Sequence, residues 1–460
     1  MSTTYVNRII SPSSIVMISL LLWGLPAAAQ PQSQTVPAGL WTRSNLLGDM
    51  GGLRTTLGDY GVSLTLQDTE TLLGNAAGGV KQGATMQGLT TATLQLDTQK
   101  AFGLAGGTIN VSALQIHGQS LSPFYLDNLQ TASGTEAEDS TRLWELWYDQ
   151  SFANGAFDLR LGQQSLDQEF IVSKYSALFV NAMAGWPMLP TADLYAGGPA
   201  YPLSSLGIRG LARPESNLTV LAGVFDDNPP GGSFADDPQS ADGGGVRFNL
   251  NTGALFIAEA QLTANMIAGL PGTYKLGVWY DTGYFPDRAV DNQGLSLAAP
   301  DSDGIPEMHK GNDSAYAVVD QTIWQPKGSA RSLNLFVRLM GAPADQNLID
   351  FSANGGLTLT DPFPGRPNDS AGLDIGIAKV SGRTADLDQA EALSSGSFVP
   401  VRGSETLIEL TYLAQVTPWL QIQPDAQFVL NPGGGVVNPD DPTARLRDEM
   451  VIGVRTNVNF

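Results

Sequence analysis

The chain has 460 residues, of which 42% are hydrophobic and only 15% charged, with a formal charge of −21 at pH 7 and no cysteine. The acidic surplus excludes nucleic acid as a partner, because phosphates need Lys and Arg, and the missing cysteines exclude a disulfide framework. Beyond residue 29 no segment approaches the 18 consecutive apolar residues of a transmembrane helix, yet 52 glycines and sparse charge fit a protein built from many short strands.

Residues 1–29 read as a secretory signal. Arg8 makes the start basic, Ile15–Leu25 is a short apolar core, and Pro26 with Ala27-Ala28-Ala29 supplies an A-x-A end. A mature start near Gln30 is expected. It removes one base, leaving 45 acidic against 23 basic residues, or −22. Residues 30–59 form an N-terminal periplasmic segment in this reading. Within Leu40–Asp59, Leu46, Leu47, Met50, Leu53 and Leu57 could share a helical face, opposed by Gly48, Gly51 and Gly52. The segment would cap the barrel, partly occlude it, or act as a plain linker.

From residue 60 onward the apolar residues recur with period two. In Arg142–Phe152, Trp144, Leu146, Tyr148 and Phe152 fall on one face and Glu145, Trp147, Asp149 and Ser151 on the other. The turn Ala153-Asn154-Gly155 leads into Phe157, Leu159 and Leu161, alternating with Asp158 and Arg160. The pattern predicts strands at 60–69, 89–98, 108–117, 142–152, 156–164, 203–213, 217–226, 245–264, 273–283, 314–324, 331–341, 348–360, 371–381, 404–416, 419–430 and 446–460. That is an even set of sixteen, with short connections (153–155, 214–216, 265–272, 325–330, 417–418) and long ones (118–141, 165–202, 284–313, 382–403). The even count and the two loop classes predict an all-β, 16-stranded antiparallel transmembrane barrel over residues 60–460. Even-parity Val246, Phe248, Leu250 and Phe256 support one strand at 245–264, whereas 348–360 rests on the topology rule. Met450, Ile452, Val454, Val458 and Phe460 share an apolar face on the closing strand, which would also be read by the barrel-assembly machinery.

Several segments stand out in order. They are LLGDMGGLRTTL from Leu46 to Leu57 with Gly61-Val62, LWELWYDQSFANGAFDLRLG from Leu143 to Gly162, and Tyr201-Pro202 followed by LSSLGIRG at Leu203–Gly210. GTYKLGVWYDTGYF at Gly272–Phe285, PGRPND at Pro364–Asp369 and ETLIELTYLAQVTPWLQIQPDAQFVLNPGG at Glu405–Gly434 complete the set. Together they resemble the carbohydrate-selective porin (OprB) family. The resemblance implies a 16-stranded barrel and passive sugar permeation across the bacterial outer membrane, without naming the sugar.

Sixteen strands leave a water-filled channel whose selectivity comes from its narrowest point. Strand parity sends Glu145, Trp147, Asp149, Asp158, Arg160, Arg209, Arg247, Glu259, Lys275, Trp279, Arg338, Glu409, Asp425 and Arg455 to the lumen. Taken singly, each is explained as a solvating or wall-pairing residue; together, a few would form a constriction. The six bases balance the six acids, which predicts weak ion selectivity and donor–acceptor pairs for sugar hydroxyls. Trp144 has outward parity and is assigned to an interfacial girdle. The segment Ser165–Tyr201 is long, aperiodic and aromatic, with Phe170, Tyr175, Phe179, Trp186, Tyr195 and Tyr201, and is the candidate constriction loop.

The expected partners are small neutral sugars and outer-membrane lipid, and a homo-oligomer is compatible. No cofactor, metal or catalytic residue is expected. His117 and His309 are the only histidines, no G-x-S-x-G occurs, and Asp301-Ser302-Asp303-Gly304 departs from a calcium loop because Asn312 stands at its twelfth position. A general diffusion porin, a closed adhesion or binding barrel, an outer-membrane hydrolase and a secreted soluble β-protein are the competing readings.

Overall fold

A computed structural model describes residues 39–232 and 237–460; the predicted signal 1–29 lies outside them. The barrel strands are β1 (Val62–Ala77), β2 (Gly83–Asp97), β3 (Gly107–Gly118), β4 (Ser140–Phe152), β5 (Phe157–Gln164), β6 (Ser205–Glu215), β7 (Leu218–Phe225) and β8 (Leu255–Ile267). They continue as β9 (Leu270–Asp291), β10 (Pro306–Trp324), β11 (Ser332–Gly341), β12 (Ile349–Thr360), β13 (Ser370–Val380), β14 (Ser404–Thr417) and β15 (Leu420–Leu430). A small ribbon, β16 (Val437–Asn438) with β17 (Asp441–Arg445), precedes β18 (Glu449–Asn459). The barrel strands all pair antiparallel with their neighbours, and β1 pairs with β18 to close the cylinder, with Gln67 opposite Asn459 and Asn75 opposite Val451. Closure satisfies every strand edge, which a bilayer demands. No described helix is long and apolar enough to cross a membrane.

The outward faces are apolar. Leu146, Leu161, Ile208, Phe256, Leu276, Val278, Leu339, Ile375, Leu410, Phe428 and Ile452 stand exposed on strands spread around the barrel, as a lipid-facing band requires. Turns of a few residues close one end, at 153–156, 216–217, 268–269 and 418–419, where the N-terminal segment and Phe460 also lie. That end is periplasmic by the usual loop rule.

All sixteen expected strands form, with corrected limits. β1 and β2 run on to a five-residue turn at 78–82 because they pair as far as Asn75 opposite Gly83. The Gly- and Thr-rich sequence there has little hydrophobic contrast to read. β9 and β10 also remain paired as far as Asp291 opposite Pro306, so the expected loop 284–313 shrinks to 292–305. Strand 348–360 is real, as β12. Strand 245–264 begins only at Leu255. Val246, Phe248 and Leu250 are exposed loop residues whose even parity was coincidental.

The N-terminal segment docks on the closed end. Its helix starts at Leu53, because Gly48, Gly51 and Gly52 take φ of 57°, 70° and 97°, which interrupt a regular helix before it. Leu46 N–H donates to Asn459 O at 2.7 Å, Trp419 Nε1 donates to Leu40 O at 2.8 Å, and the Arg54 guanidinium donates to Leu64 O and Phe460 O. This stapling ties the segment to the first and last strands.

Candidate functional site

The segment 165–204 touches inward side chains on strands around the whole circumference. Ile171 N–H donates to Glu259 on β8 at 2.9 Å, and Lys275 on β9 donates to Val172 O at 2.7 Å. Lys174 N–H reaches Asp320 on β10 at 2.9 Å, where Ser173 Oγ also donates at 2.6 Å. Arg338 on β11 donates to Gly185 O at 2.8 Å and to Met183 O. Glu409 on β14 accepts from Val180 N–H and Asn181 N–H, and Arg455 on β18 donates to Leu178 O at 3.4 Å. One segment reaches all these walls only from inside the cylinder.

Fixed charges inside the wall explain this path. An extended loop buried away from water leaves backbone N–H and C=O groups that must find partners. Inward carboxylates take the N–H groups and inward guanidinium and ammonium groups take the carbonyls. Charge-assisted bonds of this kind are the stronger class. A second segment, 119–139, does the same. Glu405 accepts from Leu129 N–H and Gln130 N–H, both at 2.7 Å, and Gln427 donates to Ala132 O at 2.8 Å. The two segments join where Gly134 N–H donates to Val180 O at 2.9 Å and Ala182 N–H to Thr131 O at 3.0 Å.

Opposite this packed side lies a charged cluster on β4, β5 and β6. Arg209 donates to Glu169 through Nε at 2.6 Å and through its terminal nitrogen at 2.7 Å, and also to Asp149 at 3.1 Å. Arg160 donates to Asp149 at 3.0 Å, pairs with Glu169 at 3.1 Å, and lies over the Trp147 ring at 3.8 Å. Burial would raise the Glu169 carboxyl, but Arg160 and Arg209 hold it below its ordinary value. Asp158 pairs with Arg213 at 2.7 Å. Unlike the fully buried Arg338, Glu409 and Arg455, Arg160 and Asp149 keep 15% of their side chains open.

Beneath the segment, toward the periplasmic end, is a cavity of about 520 Å³. Lys174 and Tyr175 roof it, and Thr263, Thr273, Thr322, Asn334, Thr358 and Ser370 are among its walls. Tyr175 Oη lies 2.9 Å from Thr322 Oγ1. Its size is that of a small-molecule site, and hydroxyl side chains recur in its lining.

Some expected residues fall elsewhere. Arg247 is exposed on the loop before β8 and does not enter the lumen register, because no strand exists at that position. Trp279 is buried in an apolar cluster with Tyr316, Leu189 and Ile257, so its ring supports the loop. Phe170 packs edge-on against Phe225 at 6.3 Å, and Trp186 Nε1 donates to Gly197 O at 2.9 Å. Tyr195 lies against Phe285 at the outer rim, the two rings tilted at 47° with centroids 5.2 Å apart. Among the six loop aromatics named from the sequence, Tyr175 lines the cavity. Trp144 is buried beside Leu114 and Ile116 rather than facing lipid. A bulge makes Glu145 face Ser112 and Leu143 face Ala113, leaving Trp144 as the extra residue and switching the parity of the strand above it. The same bulge brings in Arg142. Glu169, Asp320, Glu405, Gln423 and Gln427 were also missed. Asp320, Glu405, Gln423 and Gln427 have inward parity on their strands, so alternation alone could have flagged them. His309 is on β10, not in a loop, and lies 2.9 Å from Asp287, which also pairs with Arg383 at 3.0 Å.

A closed 16-stranded barrel with an apolar outer band and a polar, loop-filled interior defines an outer-membrane porin. Residues 81–460 match the family described as carbohydrate-selective porin, OprB family, and the chain belongs to that family. It is an outer-membrane sugar porin. It is 25% identical to Porin B of Pseudomonas aeruginosa over 441 residues, covering 89% of this chain and 91% of that protein. It is 24% identical to the putative porin QuiX of Acinetobacter baylyi, covering 95% and 98%. The fold superposes on the high-pH structure of Pseudomonas putida OprB with a TM-score of 0.80 at 23% identity, covering 92% of this chain and all of that one.

Proposed function

We propose that the segment 165–204 sets the size limit of sugar diffusion and that the cluster of Arg160, Asp149, Glu169 and Arg209 with Trp147 forms the wall that sugars pass. The carrying observation is the ring of hydrogen bonds in which Glu259, Asp320 and Glu409 accept from that segment and Lys275 and Arg338 donate to it. So many anchors prevent the segment from swinging aside, and a fixed obstruction narrows the lumen. Trp147 offers an apolar face, and the carboxylates offer acceptors to the hydroxyl rim of a sugar. Two bases and two acids neutralise each other in the cluster, which disfavours neither ion sign and suits neutral solutes. Glu145, Glu259, Lys275, Arg338, Glu409, Asp425 and Arg455 act mainly as loop supports. The hydroxyl-lined cavity under Lys174 and Tyr175 is the next station toward the periplasm.

Liposome swelling tests the reading with a panel of saccharides and similarly sized amino acids. Sugars should enter faster than amino-acid salts of equal size. Trp147→Ala with Arg160→Ala should lower the ratio severalfold without closing the channel. Equal rates for both solute classes would leave a general diffusion porin.

The remaining partners follow from the surface. Export with removal of residues 1–29 accounts for the signal-like start, and the closing strand is the recognition element for barrel assembly. On β1–β3 the outward face carries Asp68, paired with Thr90 at 2.6 Å, and Glu70, paired with His117 at 3.2 Å. Charged side chains facing lipid are costly. A second copy of the chain covering this stripe removes the cost, and a cysteine at Gln115 should then cross-link between protomers in native membranes. Absence of any cross-linked species would favour a monomer.

A further inference from the structure

Below the inward segment one base stands apart from the others that face the lumen. Arg160 and Arg209 pair with Asp149 and Glu169, Lys275 lies 3.7 Å from Glu259, and Arg338 and Arg455 donate to carbonyls of the segment. Lys174 is exposed and forms no ion pair among the described residues. Its ammonium lies 5.3 Å from the centre of the Tyr175 ring, and both residues line the cavity of about 520 Å³ beneath the segment. The Lys174 N–H is fixed on Asp320 at 2.9 Å, so the side chain starts from an anchored point. Asp320 is 5% exposed and also accepts from Ser173 Oγ and Tyr175 N–H, so its oxygens are occupied by the segment.

The wall of the same cavity carries a belt of small polar side chains. Thr263 on β8 pairs with Thr273 on β9, Thr322 on β10 with Asn334 on β11, and Asn334 with Thr358 on β12. All five line the cavity. Period two sends them to the inner face, and the shared register sets them side by side. Tyr175 Oη lies 2.9 Å from Thr322 Oγ1, which donates to Asn334 Oδ1 at 2.9 Å. A threonine hydroxyl both donates and accepts, which suits the hydroxyl rim of a sugar. Among the described residues no arginine lines the cavity, so the fork that holds a phosphate dianion is missing. A lone ammonium matches a single carboxylate.

We propose that Lys174 and this belt form a site for sugar acids, the ammonium taking the carboxylate and the belt the ring hydroxyls. The site rests on the reading of the cavity as the periplasmic station of the sugar path. It extends the cargo from neutral sugars to their monoanionic acids. The cluster of Arg160, Asp149, Glu169 and Arg209 disfavours neither ion sign, so it does not turn an anionic sugar away. A water-exposed ion pair is worth little. That weakness suits a channel, where a ligand must leave as readily as it enters.

Block of the potassium chloride current through the full-length porin in planar bilayers tests the site. Glucuronate and its neutral methyl ester share one ring and nearly one size. Added on the periplasmic side at constant ionic strength, glucuronate should half-block the current at a severalfold lower concentration than the ester. The advantage should shrink as the salt rises from about 0.1 to about 1 M, because the screening length falls from about 10 to about 3 Å. Lys174→Gln should bring glucuronate to the level of the ester, and Lys174→Arg should keep the advantage. Acetate, which lacks the hydroxyls, should block poorly, and glucose 6-phosphate should block no better than glucuronate. Equal block by glucuronate and its ester in the parent protein overturns the proposal, as does an advantage that survives Lys174→Gln. Acetate as effective as glucuronate would make Lys174 a plain solvated charge, and a stronger block by the phosphate would make the site one for phosphate; either result refutes it. If Lys174→Gln loses its heat-modifiable gel mobility, the comparison of glucuronate with its ester in the parent protein decides. Solute added on the periplasmic side reaches the cavity without passing the Arg160 cluster. Failure here with sugar-selective swelling intact strikes this site alone, whereas loss of that selectivity strikes the reading of the cluster.

Discussion

Arg338 is 1% exposed and donates to Asn354, to Gly185 O and to Met183 O. Arg338→Ala would leave two loop carbonyls and Asn354 without that donor, at a cost of about 2 kcal/mol or more. The variant should lose its heat-modifiable form at a lower temperature and show higher single-channel conductance. An unchanged value of both would mean that the residue anchors nothing. Parity makes Glu145, Arg160, Arg338 and Asp425 all inward, but burial separates them. A cysteine at Arg160 should react quickly with water-soluble thiol reagents, and one at Arg338 only slowly. Comparable rates would place the loop elsewhere. At Glu136, whose carboxylate accepts from Ser122 N–H at 3.0 Å, burial pushes the acid up to about 7. The folded protein therefore holds this proton more tightly than the unfolded chain. The associated stability is fully present below about pH 4.5 and is lost as pH rises through about 7. Protection against hydrogen exchange at 119–139, corrected for the intrinsic pH dependence of exchange, should be lower at pH 8.5 than at pH 5.5, and Glu136→Gln should flatten the difference. A parent protein with pH-independent protection would contradict the sign.

Among the elements, strands were legible wherever one face meets lipid and the other meets polar groups, because that contrast alternates with period two. β9 and β5 are clear for this reason. Alternation misled at Val246–Leu250, where apolar residues alternate without any pairing partner, and at Trp144, where one extra residue in β4 reverses the faces. A bulge leaves no signature in a single sequence, since it depends on what the neighbouring strand offers. The segment 165–204 was legible as long, aromatic and aperiodic, but its route was not. Removing residues 170–185 and joining the ends through a short glycine linker should raise conductance severalfold and admit larger saccharides. A folded deletion with parental conductance would show that the segment does not limit the path.

For the whole molecule, the charge of −21 points to cation selectivity, yet many acids lie on exposed loop positions, where salt screens them over about 8 Å. The expected lumen balance of six bases and six acids loses Arg247 and gains further inward groups, among them Arg142 on β4, Asp320 on β10, Asp374 on β13, Glu405 on β14 and Glu449 on β18. The excess acids, such as Asp320 and Glu405, are bound to loop N–H groups instead of facing the path. Reversal potentials across a salt gradient should therefore stay near zero, and a strongly cation-selective channel would contradict this arrangement. Sequence by itself determined the class of fold, the number of strands and the two families of connections. Each follows from local chemistry, namely hydrophobic alternation, turn residues and the need to satisfy every backbone group in lipid. Parity is local too, and it marked inward charges such as Glu145, Arg160, Arg338 and Glu409, but not Arg142 behind the β4 bulge nor the absence of a strand at Arg247. Tertiary structure alone decided which of those charges remain open to a passing solute. Glu409 and Arg160 have the same parity, but Glu409 is fully buried under Val180 and Asn181 while Arg160 stays partly open beside Trp147. That difference is set by contacts more than two hundred residues apart in the chain, which no local pattern encodes.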